Sequence, residues 1–402
     1  MTGNPEGDNT DRTGGFSPDT KVITADGPKL VAELSESDVL YTLDPSTKQL
    51  GRSPVTAVEP ASFSGSLVNI QGKRCDLLVH PDQRLPFCTK SIDSVRFQRA
   101  DDLHERFDYK FVNGWTAPSY PETEFIDITD FLDEYEIRTT SEVHGHTFRA
   151  ALPEGCQPCR RNSHTGYYFD PQTFKGYQQE LESVADELTI VGGASQRSRP
   201  YRFAAEDFVA FLGWFITEGS VTWRKNRDTA IVQIAQEKPE HRETIQSLLT
   251  RMGFDFQSTS DSFQFGSSLY GRFLTSLCGE SSKERRLPSL VWSLPTEQKR
   301  AFFETLMAGD GNSDGTYYTV SERLARDLCQ FGLFLGMKPR YIRRGDLWEL
   351  YFSERNDGFT PKANVRTVQS EGEVYRLSVE GSSVVMAGRN GRFQWCGVST
   401  TC

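Results

Sequence analysis

From Phe16 onward the chain alternates apolar and polar side chains in short runs. DTKVITADGPKLVAEL (19–34) does so about an Asp26-Gly27 pair, which predicts a β-hairpin, and GSLVNIQGKRCDLLVHPDQRLPF (65–87) predicts further short strands. Over residues 101–205 charge, proline and aromatic residues break the period, and one helix is predicted at YQQELESVADELT (177–189). From Glu206 apolar positions recur at helical spacing. DFVAFLGWFITEG predicts a helix, VTWRKNRDTAIVQIAQ paired strands, and HRETIQSLLTRMGF an amphipathic helix closed by Gly253. This order of helix, strand pair and helix is read twice. The second copy opens at TEQKRAFFETLMAGDGN (296–312), continues through TYYTVS and ERLARDLCQFGLFLGM, and ends in the strands PRYIRR and LWELYFS. After Lys362 short strands return, in EVYRLSVEG, SVVMAG and GRFQWCGVS. β-structure at both ends with a duplicated α/β unit between them predicts a domain interrupted by another, an insertion that is tolerated where chain ends lie close in space.

Composition narrows the classes. The 402 residues are 37% hydrophobic and 25% charged, enough for two or three domains with their own cores. No run approaches the roughly 18 apolar residues of a membrane span, and MTGNPEGDNTDRTGG has no apolar core of a leader, so no membrane partner and a cytoplasmic location are expected. Eight widely spread cysteines argue against a disulfide framework. The net charge of −10 counts against nucleic acid at first, but its distribution reverses the inference. Residues 221–365 balance 20 Lys and Arg against 18 Asp and Glu, with bases clustered as WRKNR (223–227), KERR (283–286) and KPRYIRR (338–344). PETEFIDITDFLDEYE (121–136), with seven acids and no base, reads as a solvated face.

The helix DFVAFLGWFITEG is apolar nearly all round and therefore belongs inside a protein. Gly213 in its middle costs about 1 kcal/mol relative to alanine, which is repaid where a second helix approaches closely. FFETLMAGDG supplies that helix. Each ends in an acid and a glycine, Glu218-Gly219 and Asp310-Gly311. An acid in the last turn opposes the helix dipole. For one helix the plain reading is a surface acid beside a glycine C-cap. Two such acids at matching places in matching helices point instead to a site that gathers divalent cations, and paired metals suit phosphodiester cleavage.

FLGWFITEG and FETLMAGDG resemble the two copies of the LAGLIDADG (DOD-type) motif of homing endonucleases. The resemblance implies that the eighth position of each, Glu218 and Asp310, is the metal-binding and catalytic acid. It further implies a monomer with an internal pseudo-twofold, strands that bind double-stranded DNA, and Mg²⁺ or another divalent cation. Thr305 replaces the third-position glycine in the second copy, which is expected to loosen the helix contact. Arg224, Lys225, Arg227, Lys283, Arg285, Arg286, Lys338, Arg340, Arg343 and Arg344 are the candidate DNA-binding residues, with Lys283, Arg285, Arg286, Lys338 and Arg340 also candidates for supporting the charged transition state.

The flanks resemble an intein's splicing domain, the Hint fold. FSPDTKV (16–22) is similar to its opening block, VYRLSVEG (374–381) to its penultimate block, and AGRNGRFQWCGVS (387–399) to its closing block. The splicing positions are degenerate. Gly15 stands where a thiol or hydroxyl nucleophile is required, His80 and Gln83 where the helping Thr and His are expected, and Gly397 and Val398 where a His-Asn pair closes the domain. Ser399 alone could act as a nucleophile, and Arg376 stands where a rarer class places Cys.

The resulting expectation is an α+β protein, a mostly-β Hint domain split by a duplicated α/β LAGLIDADG domain. Its parts are a disordered tail at 1–14, a Hint-like part at 15–100, an inserted linker or DNA-recognition region at 101–205, an endonuclease domain at 206–365 with halves at about 206–293 and 294–365, and a Hint-like part at 366–402. The expected function is sequence-specific cleavage of double-stranded DNA in a splicing-inactive scaffold. The alternatives are an autoprocessing intein and a catalytically idle DNA-binding protein. His144, His146, Cys156, Cys159 and His164 form a weaker zinc candidate. Cys156 and Cys159 have knuckle spacing, but free cysteines in a loop are the preferred reading.

Overall fold

The computed structural model describes residues 14–88, 94–105, 108–141, 145–162, 166–192, 199–224, 229–354 and 358–401. Two compact units make up the chain. One joins residues 1–119 to 312–402, and the other spans 120–311. The class is α+β.

The first unit is built mainly of strands. The predicted hairpin pairs Lys21–Thr24 with Gly27–Leu30, and Gly27 adopts a φ of 102° that favours glycine. A 23-residue strand, Leu50–Gly72, runs antiparallel to Val365–Glu380 along most of its length. Phe16 bridges to Tyr375 and Val79, and Lys21 and Val22 pair with Gly388 and Ala387. The two ends of the sequence thus share one sheet and one core, in which Phe16, Val22, Ile70, Leu77, Val379 and Cys396 are buried together.

Residues 312–365, expected to complete the endonuclease half, belong to this unit. Helix Glu322–Phe334 begins at Ser321, whose hydroxyl accepts from the Leu324 N–H, and packs one face of an antiparallel sheet ordered Thr316–Thr319, Leu347–Ser353, Lys338–Arg344. Lys338–Arg344 continues into Arg392–Gly397 through the Arg340/Arg392 pair.

In the second unit, helix Ala205–Glu218 leads into strands Gly219–Trp223 and Ala230–Ala235, helix Pro239–Arg251, strands Gln257–Ser258 and Ser262–Gly266, and helix Ser268–Cys278. Pro239 opens its helix, where a missing N–H costs nothing, and Gly253 (φ 73°) closes it as expected. Stacked aromatic rings, among them Phe203, Phe208, Phe211, Phe254 and Phe265, fill the core.

Two expectations need correction. The strand pair does not occur twice. The first half orders its sheet 219–223, 230–235, 262–266, 257–258, whereas in the second half 347–353 pairs directly with 316–319 and no counterpart of 230–235 intervenes. Region 101–205 is also not irregular throughout. Within it Arg160–Asn162, Gly166–Phe169, Glu136–Thr140 and Glu187–Val191 form an antiparallel sheet. The helix predicted at 177–189 ends at Val184, because the β-branched run Thr189-Ile190-Val191 pairs with Glu136–Arg138 instead.

Candidate active site

The helices Ala205–Glu218 and Thr296–Asp310 lie in the second unit and pack on each other. On the first, Phe208, Phe211, Leu212, Phe215 and Ile216 are buried, and on the second Phe302, Phe303 and Leu306. The contact follows the repeat. A Cβ on Gly213 would lie 2.8 Å from the Cβ and Cγ2 of Thr305, and a Cβ on Gly309 would fall 2.5 Å from the Cβ of Thr217. Both pairs join equivalent positions of the two copies. The contacts alternate, glycine against threonine and then threonine against glycine. Thr305 therefore does not loosen the interface, because the space left by Gly213 receives it. Both threonines return their hydroxyls to the carbonyl four residues back, Thr217 to Gly213 (3.1 Å) and Thr305 to Ala301 (3.0 Å).

The helices also end alike. Gly219 (φ −84°, ψ 151°) and Gly311 (φ −91°, ψ 160°) are extended, with their N–H groups donated to Phe215 and Met307. They are not left-handed C-caps. A side chain at either position would strike the carbonyl oxygen of Phe215 or Met307, so glycine is required by the sharp exit from the helix. Glu218 and Asp310 sit immediately before these exits, each half-buried.

Glu218 accepts a hydrogen bond from Gln236 Nε2 at 3.1 Å. Burial raises its pKa, and the Gln236 hydrogen bond and the Lys238 charge oppose that rise. Gln236 is fixed in turn. Its Oε1 accepts the N–H groups of Glu237 (3.1 Å) and Lys238 (3.0 Å), and its own carbonyl accepts Arg242 Nη1 at 2.8 Å. Neither Gln236 nor Lys238 is a sequence-predicted site residue. Their signal was slight, a polar end to the alternating strand AIVQIAQ. Arg285 is buried, lies 4.9 Å over the Phe215 ring, and donates to the carbonyls of Gly279 (2.6 Å) and Gly219. It thus places a cation beyond the C-terminal end of the first motif helix and steadies the residue after Glu218.

A divalent cation fits this donor set. Carboxylate oxygens are hard ligands of the kind Mg²⁺ takes, and a cation would relieve the burial that raises the Glu218 pKa. Among the described residues no group of three or more His, Cys, Asp or Glu is gathered in a metal-binding arrangement, so the site rests on two carboxylates. Cys156 is buried, and the Cys159 thiol donates to the Tyr168 carbonyl at 3.3 Å. His144 and His164 lie outside the described residues.

The other candidate cations are dispersed. In the second unit Lys283 and Arg224 are exposed and Arg286 donates to the Ser276 carbonyl, while Lys225 and Arg227 lie outside the described residues. In the first unit Arg343 pairs with Glu322 (3.5 Å) and Arg344 with Glu349 (2.8 Å), whereas Lys338 is buried and Arg340 partly so.

The positions expected to be degenerate splicing residues lie near one another within the first unit. The Gly15 carbonyl accepts the His80 N–H at 2.8 Å, and Gln83, buried, donates Nε2 to the Gly397 carbonyl at 2.5 Å. Val398 donates its N–H to Ser383, and Ser399 pairs with Ser378. Burial lowers the pKa of His80, whose Nδ1 accepts the Asp82 N–H at 3.1 Å.

Residues 207–272 match the family model of the LAGLIDADG-like domain, so the first motif helix and the sheet that follows it form a LAGLIDADG-like domain. The chain is 33% identical over 91 residues to a DNA gyrase polypeptide of Mycobacterium leprae, covering 20% of this chain and 7% of that protein. It is 26% identical over 166 residues to a DNA polymerase of Thermococcus hydrothermalis, covering 39% of this chain and 10% of that one. The chain thus spans about a tenth or less of the length of these relatives. Similar solved structures include a glutathione-linked, splice-inactive variant of the AceL NrdHF class 3 split intein, at 20% identity, TM-score 0.23, and coverage of 25% of this chain and 63% of that one. An intein-like domain from Clostridium thermocellum is similar at 18% identity and TM-score 0.21, covering 25% and 66%. No helix among the described residues is long and apolar enough to cross a membrane.

Proposed function

We propose that this chain is a sequence-specific endonuclease that hydrolyses both strands of double-stranded DNA, carried in a Hint-like frame that no longer splices. The observation that carries this reading is the pairing of equivalent positions, Gly213 with Thr305 and Thr217 with Gly309, which sets two carboxylates at the ends of two crossed helices. The LAGLIDADG-like match over the first of these helices supports it.

Glu218 and Asp310 would hold the divalent cations, one carboxylate serving each strand. When bound, such a cation neutralises charge on the phosphate and activates water as a nucleophile. Gln236 orients the Glu218 carboxylate, and Lys238 adds positive potential beside it. The internal twofold lets one chain present two such half-sites to the two antiparallel strands of a duplex, as a monomer. The shares of gyrase and polymerase covered are too small to transfer those activities.

The splicing side of the proposal rests on Gly15, Gly397 and Val398, none of which offers a side-chain nucleophile or a cyclising amide. The test of the nuclease is cleavage of a randomised duplex library with Mg²⁺, followed by sequencing of the cut ends. Glu218→Gln and Asp310→Asn should abolish cutting while leaving duplex binding in place. Loss of binding with cutting would show that the acids serve the fold.

A further inference from the structure

A cluster of cations stands in the first unit, away from the carboxylate site. A cleft of about 400 Å³ is lined by Lys73, Arg74, Lys338 and Arg340, with Asp314 the one acid among the described residues on its wall. The cations come from separate parts of the sequence. Lys73 and Arg74 form the turn between strands Leu50–Gly72 and Cys75–Val79, while Lys338 and Arg340 lie on one strand of the second-half sheet. Arg392, the register partner of Arg340, adds a fifth charge from the chain's last hairpin and donates to the Gly72 carbonyl at 3.2 Å.

The sheet that carries Arg340 has two unlike faces. Residues opposite one another across strands share a face. On one face Tyr341 meets Leu350, which in turn meets Tyr317, Pro339 meets Phe352, and helix Glu322–Phe334 covers them, with a Cβ on Gly332 falling 2.9 Å from the Phe352 ring. On the other, Arg340 meets Tyr351, which in turn meets Thr316, Lys338 meets Ser353, and Ile342 meets Glu349, which pairs with Arg344 at 2.8 Å. Around Lys338 and Arg340 that face is cationic and hydroxylated, and the cleft opens on it.

Like charges held this close repel. Arg340 lies 4.8 Å over the Tyr351 ring, its Nε is buried without a hydrogen bond among the described residues, and burial, Arg392 and Arg74 all lower its pKa. Such a group gains from an anion that supplies both charge and acceptor oxygens, and guanidinium geometry suits phosphate. Successive same-face positions along a strand lie about 7 Å apart, so Lys338 and Arg340, with Lys73, Arg74 and Arg392 from other segments, spread their charge over more than one phosphate, which suits a repeating anion better than a single one.

We propose that this cleft is a backbone-phosphate site for double-stranded DNA, in which the flanking β-frame supplies Lys73, Arg74 and Arg392 to a surface shared with Arg340. The proposal rests on the DNA-cleaving reading above, and its test separates the two. Binding of a labelled random-sequence duplex by the full chain is measured across a salt series, for the native protein and for Lys73→Glu, Arg74→Ala and Arg74→Lys. Lys73 is exposed, so its reversal leaves packing intact. Arg74→Lys keeps the charge where the Arg74 hydrogen bond to Ser353 is lost.

The expected result is a fall in the slope of log affinity against log salt of about 0.9 for each phosphate contact removed. Affinity should drop roughly tenfold or more for Lys73→Glu, and Arg74→Lys should keep the native slope. Unchanged slope and affinity in both Lys73→Glu and Arg74→Ala overturn the proposal, as does a native chain with no salt-dependent duplex binding. Inorganic phosphate that binds the native chain and is lost in these variants, while duplex binding is unaltered, makes the cleft a free-anion site and also overturns it. A native chain that binds duplex through Lys73 but never cuts leaves the cleft standing and removes the nuclease reading.

Discussion

Two sets of residues from distant parts of the sequence converge in this molecule, Glu218 with Asp310 in one unit and Gly15, His80, Gln83 and Gly397 in the other. Both have ordered geometry, but the first pairs two carboxylates, whereas the second has a glycine at residue 15 where a nucleophile would stand. The difference lies in what holds each together. The frame around Gly15 is held by main-chain hydrogen bonds and by one buried amide, Gln83 to the Gly397 carbonyl. None of these bonds needs a nucleophile, so a nucleophile can be absent without disturbing the sheet that joins the chain's ends. Glu218, by contrast, is half-buried with a raised pKa, a placement that folding alone disfavours. A costly acid retained at one site and an inert glycine at the other indicate which site carries the proposed activity.

The comparison can be broken most sharply at the acids. Glu218→Gln or Asp310→Asn should lower cleavage at least about 10²-fold, since a metal clamp supplies several kcal/mol at the transition state. Cleavage kinetics on a cut-site duplex would show it. Gln236→Ala should cost about 10–100-fold in Mg²⁺ affinity, read from cleavage against metal concentration, because it removes the donor that orients Glu218. An unchanged metal dependence would confine Gln236 to packing.

The helix crossing gives the next effect. Gly309→Val should destabilise by about 1–3 kcal/mol in denaturant melts, because the added atoms meet Thr217. Combining it with Thr217→Gly should restore part of that loss, and simple additivity would show that the two positions do not meet.

A smaller effect follows from Lys299 on the second motif helix. It is buried, lies 4.3 Å from the Tyr120 ring, and burial lowers its pKa to about 8 from 10.5. The folded state therefore binds fewer protons than the unfolded one between these values, and stability should rise as pH increases from about 8 towards 10.5. Lys299→Met should flatten that rise, on the order of 2 kcal/mol, in melts across this pH range.

The smallest expected effect is none. Gly15→Cys, fused to reporter segments at both ends, should give a single intact mass, since Gly397 and Val398 still lack a cyclising amide. A ligated product would break the contrast between the two sites.

Much of this was legible in the sequence. The 92-residue offset between Glu218 and Asp310, the greasy helices before them and the β-texture at both ends identified the motif helices and the joined flanks, because periodicity and burial are local properties of a chain. The 136–191 sheet was not legible, since its strands of three to five residues are too short to show a period. Gln236 could not be read as a partner of Glu218 either, because a single polar residue at a strand end has no periodic signal.

The sequence by itself determined which side chains are available, two acids at matching helix ends and no nucleophile at residue 15, since identity is fixed by the chain alone. Only the tertiary structure decided that Gly213 receives Thr305 and Thr217 meets Gly309, that Arg285 is bound to carbonyls, and that Lys73 and Arg74 share a cleft with Arg340. Those outcomes depend on close approach between segments tens to hundreds of residues apart, and that approach is set by packing rather than by any pattern along the chain.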